Sequence, residues 1–196
     1  MSNREATIRK TTSETDVRLL LKLDGTGNGT IETGIGFLDH MLRQVVVQGL
    51  FDLDLRADGD RQVDDHHTVE DVGLALGEAV SDAIGERRGI RRYGTFVAPM
   101  DESLALVSID LSGRSGCWVD AALTGPIGTF DADLVEEFLV GVARGARLTL
   151  HARILAGRNR HHMAEALFKA LGRALDEATT LDPRRTGVPS SKGSLA

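Results

Sequence analysis

Several residue types that mark particular protein classes are scarce in this sequence. Its 196 residues include one cysteine, one tryptophan and 4% aromatic residues. Because Cys117 has no second cysteine to pair with, an intrachain disulfide is excluded, and nothing indicates an oxidising compartment. The few aromatic side chains leave little surface for stacking nucleic-acid bases. The composition therefore excludes a disulfide scaffold and disfavours a base-stacking protein.

Long apolar runs and an excess of positive charge are missing as well. The sequence has no run of about 18 apolar residues, the length needed to span a membrane. Residues 1–10 lack the apolar core of a signal peptide. Lys and Arg total 23 against 29 Asp and Glu, a net charge of −6, which argues against nucleic-acid or membrane partners. With 41% hydrophobic and 27% charged residues, the chain is expected to be a soluble globular protein of the cytoplasm.

What the sequence does contain is an internal repeat. Residues 66–83 match residues 161–178 without gaps at eight of eighteen positions. Both segments space their apolar residues three and four positions apart, as amphipathic helices do. Upstream, residues 14–25 match residues 102–113 in an alternating apolar pattern. That alternation is typical of a sheet with one buried face.

The repeat predicts an α+β fold of two duplicated halves, each in the order strand, strand, helix, strand, helix. The helices are expected to cover the apolar faces of the sheets. We place the halves at residues 1–88 and 89–196, since the charged, glycine-containing segment 87–89 separates them. Together the halves are expected to form one compact unit.

The most specific chemical signal is a His-His-x-x-Glu motif at the start of each repeated helix. Spacings of three and four residues put imidazole and carboxylate on one helix face, where they can converge on a metal ion. The adjacent histidine is rotated by about 100° and can reach a second ion. Such ligands suit Mn, Fe, Co or Zn better than Ca. The motif residues are His66, His67, Glu70, His161, His162 and Glu165.

An alternative for these motifs is two surface helices with incidental histidines, their acids placed to suit the helix dipole. The preservation of both histidines and the glutamate in both copies favours metal binding. His40 is a further candidate, and the repeat puts Glu137 in the equivalent place. For His40 a locally satisfied histidine is the alternative. For His151, on a predicted strand, a structural or supporting role is favoured over ligation.

Basic and hydroxyl-bearing residues predict an anion site. Arg92, Arg114 and the segment 190–193 combine cations with serine hydroxyls, which suits a phosphate. Each of them alone is better explained as a solvated surface charge. A Gly-rich Walker pattern is absent, so nucleotide binding of that kind is not predicted.

These motifs together resemble a known family. Segments 34–42, 64–71, 110–114 and 160–170 resemble the imidazoleglycerol-phosphate dehydratase family of histidine biosynthesis, and the resemblance spans nearly the whole chain. It implies a carbon–oxygen hydro-lyase with a ribosomal protein S5 domain 2-like fold. The implied reaction converts D-erythro-imidazoleglycerol phosphate, a small phosphorylated imidazole, to imidazole acetol phosphate and water. The resemblance also implies two Mn²⁺ per active site, with other divalent transition metals as alternatives. A homo-oligomer, typically of 24 subunits with sites at subunit interfaces, is implied too.

Position by position, the resemblance assigns three sets of residues. The implied metal ligands are His40, His66, His67, Glu70, Glu137, His161, His162 and Glu165. The implied substrate and phosphate contacts are Glu14, Gln48, Arg92, Arg114, Lys169, Ser190, Ser191 and Lys192. The implied catalytic acids are Glu14, Glu70 and Glu165. Many relatives have histidine where this sequence has Glu137 and Gln48; glutamate can still ligate manganese, whereas a glutamine amide can only hydrogen-bond.

Such a dehydration needs metals and acids together, because the carbon proton is not acidic and hydroxide leaves poorly. The imidazole ring must supply the electrons. We expect an ion on the imidazolate nitrogen to favour loss of the hydroxyl towards a diazafulvene-like intermediate, while the metals also orient the diol. Glu14 is the candidate base for the carbon proton. The alternative for Glu14 is a surface acid at a strand edge.

Two other functions remain compatible with the ligand pattern. A dinuclear metal hydrolase would use the same ions to activate water. A metal-buffering or assembly protein would bind the ions and turn nothing over, although it would not need Arg92, Arg114 and Lys192.

Overall fold

The structure is a computed structural model that describes residues 4–195. Its first sheet has the order β1-β2-β4-β3, with β3 parallel to β4 and the other pairs antiparallel. The strands are β1 (Glu5–Thr11), β2 (Thr15–Lys22), β3 (Ile31–Glu32) and β4 (Asp52–Gly59). Strand β2 buries Val17, Leu19 and Leu21 and leaves the alternate residues outside. One face of the sheet is therefore apolar and covered, as the alternation predicts.

The second sheet repeats this arrangement with the order β5-β6-β10-β7, β7 being parallel to β10. Its strands are β5 (Tyr93–Met100), β6 (Ser103–Asp110), β7 (Gly116–Asp120) and β10 (Thr149–Ala156), and β8 (Pro126–Ile127) and β9 (Phe130–Asp131) form a separate small hairpin. Strand β6 buries Ala105, Val107 and Ile109 on the covered face. The two sheets thus have the same construction from different segments of the chain.

Within residues 4–195, four helices lie between the sheets. They are α1 (Gly36–Gly49), α2 (His66–Ile84), α3 (Leu134–Ala146) and α4 (Arg160–Thr179). Helix α2 packs on β1 and β2 and against α3, whereas α4 packs on β5 and β6 and against α1. Each motif-bearing helix therefore covers its own sheet and contacts a helix of the other half. The rings of Phe138 and Phe168, both buried, stack with centroids 5.0 Å apart in this shared core.

Helices α2 and α3 approach so closely that glycine is required at their contact. A Cβ on Gly77 would lie 2.4 Å from the carbonyl oxygen of Val142, and one on Gly145 would lie 2.2 Å from that of Leu74. Gly73 and Gly141 are equally tight against the facing backbone. Each helix thus carries two glycines four residues apart, and the resulting contact fixes where the start of α2 lies relative to α3.

The predicted α+β architecture of duplicated halves is confirmed. Both repeated helices and the strand pairs that precede them occur where the pattern placed them. Each sheet also holds a strand that the predicted order lacked, namely β3 or β7, inserted before the first helix of its half. Among residues 4–195, no helix has the length and apolar character needed to cross a membrane.

Candidate metal and substrate site

Helices α1 and α4 bring three of the predicted ligands together across the two halves. The Nε2 atoms of His40 and His161 each lie 3.2 Å from Oε2 of Glu165. One ligand atom from each residue fits within 4.8 Å of the others. Two imidazoles and a carboxylate at this separation could hold a divalent transition metal. Of the residues that the structure describes, these form a group with metal-binding geometry.

Local structure sets the positions of the two histidines. Ahead of α1, Oδ1 of Asp39 accepts hydrogen bonds from the backbone N of Thr33 at 2.9 Å and from its hydroxyl at 2.6 Å. Gly34 turns the chain there with a positive φ of 77°, which glycine adopts without strain. At α4, the side chain of Asn159 caps the helix by accepting from the backbone N of His161 at 2.9 Å.

Glu165 is charged although it is buried. Burial by itself would raise its pKa, but hydrogen bonds from Lys169 and His40 outweigh that effect and hold the pKa below the ordinary value. Nζ of Lys169 lies 2.8 Å from Oε1 of Glu165. An ionised carboxylate is the form that ligates a cation, so the site is electrostatically ready for one.

The first half supplies a corresponding but looser group. Nε2 of His66 lies 4.0 Å from Oε2 of Glu70, whose other oxygen accepts from Nη1 of Arg144 at 2.9 Å. Glu137, on α3, lines the same surface cavity of about 480 Å³ as His66. The cavity is acidic, since Asp64, Asp65, Asp131 and Asp133 also line it. By repeat position His66, Glu70 and Glu137 correspond to His161, Glu165 and His40, but among the described residues only the second group places its ligand atoms within 4.8 Å of one another.

The second histidine of each motif faces another direction, as the rotation around the helix predicts. Nδ1 of His67 lies 3.1 Å from Oδ2 of Asp60, and this hydrogen bond raises the pKa of His67. Nδ1 of His162 lies 2.7 Å from Oε2 of Glu102, which raises the pKa of His162 and holds that of Glu102 well below its usual range. The Nε2 atoms of both histidines lie near a further acid.

Part of the predicted phosphate set, Arg92 and the C-terminal segment, lies away from these histidines. Nε and Nη2 of Arg92 donate to Asp110 at 2.7 and 3.0 Å, and Nη1 donates to the carbonyl oxygen of Pro189 at 2.8 Å. This contact ties the C-terminal segment to the end of the second sheet. Ser190 follows Pro189, and its hydroxyl accepts from the backbone N of Lys192 at 3.2 Å.

Arg114 is exposed and follows β6 at the same end, whereas Ser191 is exposed in the tail turn. Gln48 lies near the end of α1, and its carbonyl oxygen accepts from Nη1 of Arg173 at 3.5 Å. Lys169 lies beside Glu165 instead, so the structure places it with the metal-ligand candidates.

Comparison with known proteins agrees with this geometry. Residues 33–175 match the family model described as imidazoleglycerol-phosphate dehydratase. The chain belongs to this family. It is 52% identical over 195 residues to the imidazoleglycerol-phosphate dehydratase of Moorella thermoacetica, covering 99% of this chain and 100% of the relative. It is 51% identical over 197 residues to that of Acinetobacter baumannii strain SDF, covering 100% of this chain and 98% of the relative.

Solved dehydratase structures share the fold. The Pyrococcus furiosus enzyme in complex with (S)-C348 superposes with a TM-score of 0.84 at 38% identity, covering 96% of this chain and 100% of that one. The Staphylococcus aureus enzyme gives 0.82 at 38% identity, covering 91% and 99%. As a member of the imidazoleglycerol-phosphate dehydratase family, the chain is a hydro-lyase of histidine biosynthesis that acts on a small imidazole substrate.

Two residues at this site were missed at the level of sequence. Asp60 and Glu102 contact motif histidines, although neither was a candidate residue. The sequence feature that could have indicated them is an acid at the end of a strand in each half. The repeat alignment does not reveal it, because Asp60 and Glu102 are not at equivalent positions. His151 lies on the exposed face of β10 and stacks on Trp118, with ring centroids 4.8 Å apart.

Proposed function

We propose that the chain converts D-erythro-imidazoleglycerol phosphate to imidazole acetol phosphate and water with two divalent ions, Mn²⁺ first among them. The observation that carries the proposal is the pair of clusters at corresponding repeat positions, His40 with His161 and Glu165, and His66 with Glu70 and Glu137. Nitrogen and carboxylate ligands in both clusters fit a borderline divalent ion. Bound ions would supply Lewis acidity to the imidazole and the hydroxyl that leaves.

The remaining chemistry falls to side chains of the protein. Glu14 lies in the turn between β1 and β2, and its Oε1 is 3.9 Å from Nε2 of His67. A carboxylate beside a metal-ligand candidate can take the proton from the side-chain carbon. Glu70 and Glu165 are assigned to the ions themselves. The hydroxyl would leave as water with the proton that the ring nitrogen gives up. The proton that Glu14 takes from the carbon would return to the ring, and the resulting enol would tautomerise to the ketone of the acetol phosphate.

Arg92 and the ligand candidates at the start of α4 are too far apart in one chain to bind the same small substrate. The backbone N of Arg92 donates to the carbonyl oxygen of Ala178 near the end of α4, whereas His161 lies at its start. At about 1.5 Å of rise per residue, these helix positions are about 25 Å apart. A three-carbon side chain between imidazole and phosphate is far shorter.

We therefore propose that a complete site combines ligands of one subunit with phosphate-binding residues of another, in a homo-oligomer of the size found in the family. Arg92 and its neighbours would hold the phosphate, while Lys169 would serve beside Glu165. The half-buried His67 and His162 would complete the ion sites of a neighbouring copy, since among residues 4–195 their ring nitrogens lie beside carboxylates.

Mixed oligomers test this arrangement. His161→Ala and Arg114→Ala are each expected to lose most activity. When the two variants are dissociated, mixed and reassembled, activity should return, because some sites then receive His161 from an Arg114→Ala subunit and Arg114 from a His161→Ala subunit. Reassembled mixtures that contain both variants and stay inactive at every ratio would contradict the shared site.

Identification of the product separates the proposal from its rivals. Purified protein with Mn²⁺ and imidazoleglycerol phosphate should form acetol phosphate with no inorganic phosphate. Release of phosphate without a ketone would favour the metal hydrolase. Metal binding without any turnover would favour a metal-buffering protein.

A further inference from the structure

Two carboxylates outside the predicted ligand set hold the second histidine of each motif. Asp60 places Oδ1 and Oδ2 at 3.2 and 3.1 Å from Nδ1 of His67. Glu102 places Oε2 at 2.7 Å from Nδ1 of His162. Side chains of all four residues are half-buried, with 18% and 34% exposed for Asp60 and His67. These contacts therefore join the start of α2 to the residue after β4, and the start of α4 to the β5–β6 turn.

The chemistry of the pair fixes which ring nitrogen is free. A carboxylate only accepts hydrogen bonds, so Nδ1 must carry the proton of the neutral imidazole. The lone pair then lies on Nε2, which is the atom a metal ion needs. Nε2 of His67 is 3.9 Å from Oε1 of Glu14, and Nε2 of His162 is 3.9 Å from Oδ2 of Asp101. Each free nitrogen therefore points away from its orienting acid, towards a second carboxylate.

The two halves reach this arrangement from different positions in the repeat. Asp60 follows β4, and its backbone N donates to the carbonyl oxygen of Glu14 at 3.0 Å. Glu102 lies in the β5–β6 turn at the repeat position of Glu14. Its Oε1 accepts from the backbone N atoms of Arg158 and Asn159 at 3.2 and 2.8 Å. If both halves had inherited the orienting acid from one ancestral half, the two acids would stand at equivalent repeat positions. They do not, so the shared geometry indicates that both halves require a carboxylate beside this histidine.

We propose that Asp60 and Glu102 are positioning residues that hold His67 and His162 with Nε2 presented to a metal ion. The proposal rests on the metal-dependent function argued above, since it assigns the orientation of two of its ligands. Carboxylates that orient ligating histidines elsewhere raise metal affinity by about 10- to 100-fold.

Titration calorimetry of the intact, metal-stripped protein with Mn²⁺ at one pH tests the proposal. Asp60→Ala should weaken one class of Mn²⁺ site by about 10- to 100-fold. Asp60→Asn keeps an oxygen that can accept from Nδ1, so it should bind Mn²⁺ within a few-fold of the unmodified protein. Asp58→Asn, two residues away on the exposed face of β4, makes the same charge change and should leave Mn²⁺ binding unchanged.

Substitutions of Glu102 provide a second test, in which the conservative variant is expected to keep less of the Mn²⁺ affinity. Both carboxylate oxygens of Glu102 accept hydrogen bonds, whereas a glutamine side chain has a single acceptor oxygen. Glu102→Gln should therefore preserve Mn²⁺ affinity less well than Asp60→Asn does. Assembly and urea unfolding of the metal-free variants show whether each has folded. Folded Asp60→Ala and Glu102→Ala proteins with unchanged Mn²⁺ affinity would overturn the positioning role alone. An unmodified protein that binds no divalent ion would overturn the proposed function and the positioning role together.

Discussion

Replacing Gly77 by alanine should force helices α2 and α3 apart and destabilise the fold. The new Cβ would lie 2.4 Å from the carbonyl oxygen of Val142 and 2.6 Å from the backbone N of Ala146. Carbon contacts are favourable from about 3.5 Å. Both clashing atoms belong to backbone, which cannot rotate away as a side chain can. The helices must therefore separate locally by about 1 Å.

The expected magnitude is a balance of two opposing effects. Overpacking of a tight interior costs about 1–3 kcal/mol. Alanine is the better helix former by about 1 kcal/mol, which offsets part of the loss. Because both clashing atoms are backbone and cannot rotate away, the overpacking cost should lie in the upper part of its range, about 2–3 kcal/mol, so the free energy of unfolding should fall by about 1–2 kcal/mol. The separation also carries Glu137 on α3 away from His66 on α2, so Mn²⁺ should bind that cluster more weakly than the cluster of His40, His161 and Glu165.

Urea unfolding of the metal-free protein measures the effect. Protomer concentration must be the same for each variant, since association adds to apparent stability. Gly36→Ala is the matched control, because Gly36 is exposed at the start of α1 and an added Cβ meets nothing within 4 Å. It should change stability little. A Gly77→Ala protein as stable as the unmodified one would refute the argument from backbone contact.

Three further predictions concern single side chains. Glu14→Gln should lower turnover by about 10²- to 10⁴-fold with Mn²⁺ affinity unchanged; near-normal turnover would remove Glu14 as the base. Hydrogen bonds from Arg184 hold the pKa of Asp182 well below its ordinary value of 3.8. This depressed pKa means that Asp182 stabilises the fold above that value and loses the effect as the pH falls towards the folded pKa. The urea midpoint of Asp182→Asn should accordingly fall less between about pH 4 and pH 2 than that of the unmodified protein, and equal falls would contradict the linkage. Burial, aided by Glu136, raises the pKa of the Cys117 thiol to about 11 from 9.0. Iodoacetamide should therefore alkylate the folded protein at pH 8 about 100-fold more slowly than the urea-unfolded chain, in proportion to the thiolate present; equal rates would show an accessible, ordinary thiol.

The duplicated motifs explain why much of the fold could be predicted. Helix periodicity and the alternation in β2 and β6 are local properties, so the sequence alone located these elements. The two-residue strand β3 gives almost no periodic signal. Strand β7 has only a short alternation, and Arg114, just before it, is predicted from the sequence to be part of an anion site. The small strands therefore depend on pairing with β4 and β10 rather than on their own pattern.

The candidate site was predictable where ligands share a helix and unpredictable where they meet through space. His66 with Glu70, and His161 with Glu165, follow from spacing on a helix. His40 was predicted as a ligand from the family resemblance and the repeat. The contact between α1 and α4 places it beside Glu165. Nothing in sequence spacing indicates that Asp60 meets His67, because that contact depends on how β4 ends beside α2.

Metal-titrated turnover tests the central claim most directly. The protein would be stripped of metal, titrated with Mn²⁺, and assayed for imidazole acetol phosphate while bound ions per subunit are counted. No turnover is expected without metal, and activity should rise until two ions per subunit are bound. Full activity in metal-free protein, or activity complete at one ion per subunit, would contradict the claim.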